Sequence, residues 1–268
     1  MAGVLNKRDN DRDPREVDGR WTSFQRHWYA EPDPRLAPFV ARYWGASWDL
    51  RGQPPYRQVI VPYPNVHLSF VDDEPAMVHG VPRRHVVKVL AGAGSVLGVA
   101  FRPGCFRPFL DGPVSALTDK SVPAREILGP DLPRQPAEVL VVERFLLAIA
   151  PPRDPTAEQV AGIVARIADQ PELTRVDALA EQLGTGLRRL QRLFAEYVGI
   201  GPKRVIRRYR LHEVTERMAG GATSDWAELA AELGYADQAH LTRDFTALVG
   251  ESPTRYAQRY PAGAINRR

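Results

Sequence analysis

The chain has 268 residues, of which 44% are hydrophobic and 25% are charged, with a formal net charge of +4 and a mean hydropathy of −0.33. No apolar run approaches the roughly 20 residues that a membrane-spanning helix needs, and the N-terminus has no signal-peptide core, so we expect a cytoplasmic protein without a membrane partner. The single cysteine, Cys105, excludes an internal disulfide framework.

The first half of the chain is predicted to be β-rich. Residues 1–20 are dominated by Asp, Arg, Asn and Lys, which predicts a disordered tail. From residue 38 to residue 101, short runs of Val, Tyr, Trp and Phe alternate with Pro, Gly and Asp, as is typical of strands separated by turns. The predicted strands are Val40–Leu50, Arg57–Pro62, Val66–Val71, Ala76–Gly80, His85–Leu90 and Val96–Phe101. We therefore expect a barrel-like β domain over residues 21–150.

The second half is predicted to be helical. Ala137–Ala150 has helical spacing of its apolar residues, and Pro151–Pro155 is a stiff linker that marks the domain boundary. Thr156 with Gln159, and Asp225 with Glu228, have the spacing of capping boxes, and Pro202 is placed to begin a helix that runs to Met218. About seven helices are expected over residues 156–260, followed by a tail of residues 261–268. The fold class is α+β.

Residues 179–260 contain the same apolar pattern twice. Leu179-Ala180-Glu181-Gln182-Leu183-Gly184 returns as Leu229-Ala230-Ala231-Glu232-Leu233-Gly234 at an offset of 50 residues. After the glycine the offset is 51, so the second turn is one residue longer. The repeated anchors beyond the turn are Leu190, Phe194, Gly199, Pro202 and Tyr209 in the first copy, and Leu241, Phe245, Gly250, Pro253 and Tyr260 in the second. The scaffold repeats, while the residues between its anchors differ.

Each copy is predicted to be a helix-turn-helix unit with one outward polar face. In the first, Leu187, Leu190, Phe194 and Tyr197 form the packing stripe of helix Leu187–Tyr197. The outward residues are Arg188, Gln191, Arg192 and Ala195. In the second, Leu241, Phe245, Leu248 and Val249 pack inward. The outward residues are Gln238, Ala239, Thr242 and Arg243. The alternative is that both faces are only the solvated sides of amphipathic helices.

The chemistry of these faces suits duplex DNA. Arginine binds guanine O6 and N7 bidentately, and glutamine binds adenine N6 and N7. Eight basic residues and one acidic residue lie between positions 188 and 210, which favours a polyanionic partner. A connecting helix of 16 residues spans roughly 24 Å, so with its end turns it can hold two recognition helices about one DNA turn, ~34 Å, apart.

Residues 156–260 closely resemble the DNA-binding domain of AraC/XylS-type transcription regulators. The similarity is carried by residues 190–194, 199–211, 229–235 and 245–256, all at the expected spacing. The resemblance implies two helix-turn-helix units joined by one long helix, base contacts from both recognition helices, and phosphate contacts from the connector and the helix N-termini. The DNA-binding residues it implies are Arg188, Arg189, Gln191, Arg192, Lys203, Arg207, Arg208, Gln238, Ala239, Thr242 and Arg243.

The N-terminal domain resembles the β-rich sensor domains of actinobacterial regulators, through residues 98–104 and 106–109. This resemblance implies a small β-barrel that binds an effector or dimerises. Aromatic residues could line an apolar effector pocket, formed by Trp44, Trp48, Tyr56, His67 and Phe70. Ordinary core packing is the alternative for each of them.

Two further groups of side chains bear on function. His67, His79 and His85 lack the ligand spacing of metal-binding cupins, so neither a metal nor another cofactor is expected. Cys105 has Arg102 and Arg107 nearby, a setting that can lower a thiol pKa, whereas a buried inert cysteine is the alternative.

The sequence therefore predicts a sequence-specific DNA-binding transcription regulator rather than an enzyme. Its expected partners are double-stranded DNA, a small-molecule effector, a second copy of the chain, and RNA polymerase if it is an activator. Two alternatives remain open at this point. One is a DNA-binding domain fused to a Cys105-based repair or redox-sensing function, and the other is a constitutive DNA binder whose N-terminal domain only dimerises.

Overall fold

The computed structural model describes residues 16–17, 24–134, 138–219 and 226–257. Within these ranges the chain begins with β-strands and ends with helices. The strands are β1 (Glu16–Val17), β2 (Gln25–Ala30), β3 (Val40–Asp49), β4 (Tyr56–Ile60), β5 (His67–Val71), β6 (Met77–His79), β7 (Val86–Leu90), β8 (Ala93–Phe101) and β9 (Ser121–Pro123). The six predicted strands are confirmed to within a few residues, and β1, β2 and β9 were missed.

The strands form two antiparallel sheets. The larger has the order β2-β3-β8-β5-β6-β9, and the smaller has the order β1-β4-β7. Gln25 and Gln58, both buried, connect the sheets through a 3.0 Å hydrogen bond from Nε2 to Oε1. The predicted β-rich domain is confirmed as two facing sheets. Because Glu16–Val17 pair with β4, the predicted disordered tail is wrong at these two residues, and its remaining residues lie outside the described ranges.

Three tryptophans pack flat against glycines on neighbouring strands of the larger sheet. A Cβ on Gly98 would lie 2.1 Å from Trp44, and a Cβ on Gly94 would lie 2.5 Å from Trp48. Trp28 covers Gly45 in the same way on the opposite face. The aromatic rings are therefore accommodated only because these strand positions lack a side chain.

The first domain ends in short helices. Two 3₁₀ turns, Arg107–Phe109 and Val114–Leu117, precede α1 (Ala124–Leu128) and α2 (Val139–Ile149). The helix predicted over 137–150 is thereby confirmed, with the bounds of α2.

The rest of the described chain contains seven helices, the number expected. They are α3 (Pro155–Asp169), α4 (Val176–Gln182), α5 (Leu187–Tyr197), α6 (Pro202–Ala219), α7 (Trp226–Glu232), α8 (Gln238–Val249) and α9 (Pro253–Ala257). Helix α3 is capped by Asp154, whose carboxylate accepts from the Thr156 amide, so the predicted capping role of Thr156 is wrong. Asp225 lies outside the described residues. No helix in the described ranges is long and apolar enough to cross a membrane.

The β domain packs directly on both helix-turn-helix units. One continuous core joins Phe106 and Val114 of the first half to Leu190 and Phe194 of α5. Thr118 Oγ1 donates to the Gly199 carbonyl at 2.6 Å, and Arg107 Nε donates to Glu196 Oε1 at 2.5 Å. A second core surrounds α8, and Val61 from the β domain is fully buried within it.

Candidate nucleic-acid interface

The two helix-turn-helix units have the same backbone construction. In each, a glycine with positive φ ends the first helix: Gly184 has φ 58° and Gly234 has φ 67°. The next residue donates its amide to the equivalent carbonyl, from Thr185 to Ala180 and from Tyr235 to Ala230. The left-handed conformation favours glycine because it has no Cβ. The repeat detected in the sequence is therefore a repeat of structure.

The first recognition helix, α5, presents a polar surface that is rich in arginine. Leu190 and Phe194 are fully buried beneath it. The exposed residues are Arg188, Arg189, Gln191, Arg192 and Ala195. Leu187 was predicted to belong to the packing stripe, and this is wrong: its side chain is 44% exposed.

The second recognition helix, α8, has the same division between faces. Its four predicted anchors, Leu241, Phe245, Leu248 and Val249, are all buried. Gln238, Ala239 and Arg243 are exposed, and Thr242 is partly exposed. The helix starts differ: Asp237 accepts from the His240 amide at the start of α8, whereas Gly186 has no side chain to cap α5. The exposed surface of α5 therefore has three arginines and no acidic residue at its start, whereas that of α8 has Arg243 and begins with Asp237.

Only some of the basic side chains of the connecting helix α6 are exposed to solvent. Lys203 and Arg204, in its first turn, are exposed. Arg207 forms an ion pair with Asp244 of α8, with 2.7 Å between Nε and Oδ2. The charge of Arg207 is thus already matched within the protein.

Arg208 does not face solvent, which corrects its prediction as a phosphate contact in this conformation. It is 2% exposed, and its guanidinium donates to two carbonyls of the β domain, Pro82 at 2.5 Å and Tyr63 at 3.4 Å. Burial lowers the pKa of Arg208 to about 10. The sequence identified its charge but contained no signal that carbonyls more than 100 positions away would accept its hydrogen bonds.

A neighbouring residue of α6 strengthens the same contact. His212 is buried, lies 3.3 Å from the Pro62 carbonyl, and stacks on Tyr63 with ring centroids 3.9 Å apart. One turn of α6 is thereby held against the loop 61–63 of the β domain. The sequence around His212 contains no signal of this role.

Arg210 packs against the turn of the second helix-turn-helix unit. It is 8% exposed, and its guanidinium carbon lies 3.9 Å from the centroid of the Tyr235 ring. Burial lowers the pKa of Arg210, and the nearby Tyr235 and Asp244 oppose that shift. The arginine-rich sequence of α6 therefore divides into exposed, ion-paired and buried members.

An open groove lies beside α5, with a volume of about 500 Å³. Pro113 and Ser115 of the β domain form one wall, and Arg189, Arg192 and Ala195 are among the residues of α5 that form the other. The β domain thus approaches the first recognition helix while leaving its outward face exposed.

Four of the five predicted effector-pocket residues share the space between the two sheets. Trp44, Trp48 and His67 project from one face of the larger sheet by strand register, and the ring centroids of Trp44 and His67 are 6.2 Å apart. Tyr56 projects from the smaller sheet on the same side as Gln58. Phe70 is on the opposite face of β5 and belongs to the core shared with the helices. Its assignment to the pocket is wrong, because one residue of register reverses the face.

The histidines that were considered as metal ligands have separate surroundings. His79 lies 2.7 Å from both Ser69 Oγ and Ser121 Oγ, and burial, aided by Lys88, lowers its pKa to about 4. His85 lies against Gly250 of the second unit. Among the residues that the structure describes, no group of three His, Cys, Asp or Glu side chains is arranged to hold a metal ion.

Cys105 is a buried residue, 2% exposed, and its Sγ lies 3.9 Å from the Ala157 carbonyl oxygen. Burial raises the pKa of the thiol to about 11, in spite of the opposing charge of Arg102. A protonated, enclosed thiol is poorly suited to nucleophilic or redox chemistry. The structure therefore does not support the alternative function based on Cys105.

Comparisons with known proteins match two separate stretches of the chain. Residues 179–259 match a family described as a helix-turn-helix domain, and residues 29–123 match a domain of unknown function, DUF6597. The search of curated proteins gave no match.

Similar solved structures include three of ToxT from Vibrio cholerae. An apo variant from strain SCE256 is 13% identical, covering 81% of this chain and 97% of that one, with a TM-score of 0.43. ToxT from strain O395 is 11% identical, covering 78% and 94%, with a TM-score of 0.41. The O395 protein bound to (E)-4-(8-methylnaphthalen-1-yl)but-3-enoic acid is also 11% identical, covering 77% and 98%, with a TM-score of 0.41.

Proposed function

We propose that this chain, whose C-terminal part is an AraC-type helix-turn-helix domain of a DNA-binding transcription regulator, reads two successive major grooves of one operator. The observation that supports the proposal is the structural repeat: two equally built helix-turn-helix units precede and follow one connecting helix, α6. Helix α6 has 18 residues, which corresponds to about 27 Å of helix. With its end turns, this length suits a separation of one DNA turn, ~34 Å.

The outward side chains of α5 and α8 provide the base contacts. In α5 we assign Arg188 and Arg192 to guanine and Gln191 to adenine, because these pairs form two hydrogen bonds with a single base edge. In α8 we assign Gln238, Thr242 and Arg243 to polar contacts and Ala239 to close apolar approach. The two sets differ, so the operator is expected to be asymmetric.

Phosphate contacts fix the position of the protein on the duplex. Arg189 and Lys203 are exposed beside the proposed base-reading surface, as is Arg204. Arg207 can contribute less because Asp244 neutralises it locally. Phosphate contacts supply affinity that does not depend on sequence and that weakens as salt rises.

The β domain is proposed to control DNA binding through its contact with α6. Arg208 and His212 attach the connector to the loops around Tyr63 and Pro82, so a change in the β domain would alter the relative orientation of the recognition helices. An effector between the sheets, near Trp44, Trp48, Tyr56 and His67, is one such change. Dimerisation is a second change of this kind. If the regulator activates transcription, RNA polymerase is a further partner.

Selection of bound duplexes from a random pool tests the proposal. The wild type is expected to select two different half-sites with centres about 10 base pairs apart. Arg192→Ala and Arg243→Ala should each relax preference in one half-site, at a cost of about 1–3 kcal/mol. Arg166→Ala, which removes an exposed arginine on α3, is the matched control and should leave the selected site unchanged. If neither recognition-helix variant altered the selected sequence, the assignment would be wrong.

A further inference from the structure

Leu187 is an exposed apolar residue on a surface that is otherwise polar. Its side chain is 44% exposed, and among the described residues from 155 to 257 it is the one large hydrophobic side chain with such exposure. It is the first residue of α5 and follows Gly186, which has extended backbone. The contact between α5 and the core is made by Leu190 and Phe194, which are fully buried, and does not include Leu187. Packing within the chain therefore does not explain a leucine here.

The position of Leu187 relates it to the base-reading surface. Arg188 follows it directly, and Gln191 lies one helical turn further on the same side. At the offset of 51 residues that relates the two recognition helices, Leu187 corresponds to Gln238, the first residue of α8. Each recognition helix thus begins with an exposed side chain at the same structural position.

The major groove offers one apolar group to such a side chain. Among the four bases, thymine alone presents a methyl group there, at C5, and apolar side chains distinguish thymine through this contact. A leucine cannot donate or accept a hydrogen bond, so it would leave the polar edges of guanine, cytosine and adenine unsatisfied. The neighbouring Arg188 and Gln191 would meanwhile satisfy the adjacent bases.

We propose that Leu187 determines specificity for a thymine in the half-site bound by α5, by burying its C5 methyl group. This inference rests on the proposed function and extends it to a particular base. The two helix starts then have different chemistry, an apolar one at Leu187 and an amide at Gln238, although they occupy equivalent positions.

Replacement of thymine by deoxyuridine tests the contact, because it removes only the methyl group. The half-site bound by α5 is first identified as the set of positions whose preference relaxes in Arg192→Ala. Each thymine within it is then replaced in turn, and the dissociation constants of the full-length protein are measured at one fixed salt concentration. For the wild type, one replacement should weaken binding about four-fold, which corresponds to about 0.8 kcal/mol for one buried methyl-sized group.

Leu187→Ala should bind the thymine and deoxyuridine duplexes with equal affinity at that position. Leu140→Ala is the matched control, because Leu140 is 46% exposed on α2 of the β domain, and it should keep the four-fold difference. Thermal unfolding of both variants checks that they fold. The inference is overturned if the half-site contains no thymine, if no replacement weakens wild-type binding, or if Leu187→Ala keeps the difference. Failure to select any duplex would instead overturn the proposed function.

Discussion

The guanidinium of Arg208 and the carbonyl oxygen of Pro82 are joined by a 2.5 Å hydrogen bond across 126 positions of sequence. This bond links the helix that connects the two recognition units to the β domain. It takes one positive charge of α6 away from solvent and attaches α6 to the N-terminal half.

Arg208→Ala is expected to lower the free energy of unfolding by about 2–4 kcal/mol, because it opens a cavity where a buried side chain stood and leaves two part-buried carbonyl groups without their donor. Urea denaturation of the full-length protein measures the change. Arg204→Ala removes an exposed arginine from the same helix, and its effect should stay within about 0.5 kcal/mol. Equal stability of Arg208→Ala and the wild type would contradict the buried contact.

Lys203 and Arg208 should differ in the salt dependence of DNA binding. Lys203→Gln removes an exposed charge and should reduce the slope of log affinity against log salt by about 0.9. Arg208→Met preserves apolar volume, and since Arg208 faces the β domain, the slope should remain that of the wild type. Fluorescence anisotropy between about 50 and 200 mM salt measures both slopes. A reduced slope for Arg208→Met would show that Arg208 reaches the phosphates after all.

Asp244→Asn should strengthen DNA binding. The substitution removes a negative charge from α8 and releases Arg207 from its ion pair, so the positive potential beside the second recognition helix rises. We expect a two- to five-fold lower dissociation constant at low salt, on the order of 0.4–1 kcal/mol, and a convergence with the wild type at high salt.

Two variants serve as controls for this effect. Asp169→Asn neutralises an exposed aspartate on α3 and should not change affinity. Adding Arg207→Gln to Asp244→Asn should abolish the gain. If Asp244→Asn bound no more tightly than the wild type, Arg207 would not be available to DNA even when released.

His79 should make the protein less stable in mild acid. Its folded pKa of about 4 lies below the ordinary value of 6.5, so the unfolded chain takes up the proton first as the pH falls. The contribution to stability is complete above pH 6.5 and is lost progressively towards pH 4, to a total of about 3 kcal/mol.

Unfolding free energies at several pH values from 7 to 4.5 check this prediction. His79→Gln puts an amide in place of the imidazole Nε2 that contacts Ser69 but does not titrate, so its stability should vary less with pH than that of the wild type. Parallel curves for His79→Gln and the wild type would rule out His79 as the source.

The elements that sequence predicted well are those whose signal is local. Six strands and the seven C-terminal helices follow from apolar spacing and from Pro and Gly at their ends. Strand β2 was missed because its sequence, Gln-Arg-His-Trp-Tyr-Ala, has polar residues that are stabilised only by pairing with β3 and by the bond from Gln25 to Gln58. The repeat was detectable because both copies must bury the same anchors.

Two of the predictions that failed depended on distant parts of the chain. The basic pattern of α6 contains no signal that Arg208 would be enclosed by Tyr63 and Pro82, because charge alone does not reveal a partner. Phe70 was placed in the pocket from composition, whereas its face is set by the register of β5 with β8. The third failure is local. Helical spacing predicts that Leu187 is buried together with Leu190 and Phe194, but the contact of α5 with the core begins only at Leu190.

The burial of Val61 in the core around α8 has a consequence for how the chain folds. This residue comes from the β domain, yet it completes a hydrophobic cluster whose other buried members all lie at Leu211 or later in the sequence. The linker ends at Pro155, where α3 begins, so a fragment that starts there would lack the valine and would expose the apolar surface that it covers. The two halves should therefore unfold in a single cooperative transition, and the boundary that is visible in the sequence is not a boundary of folding.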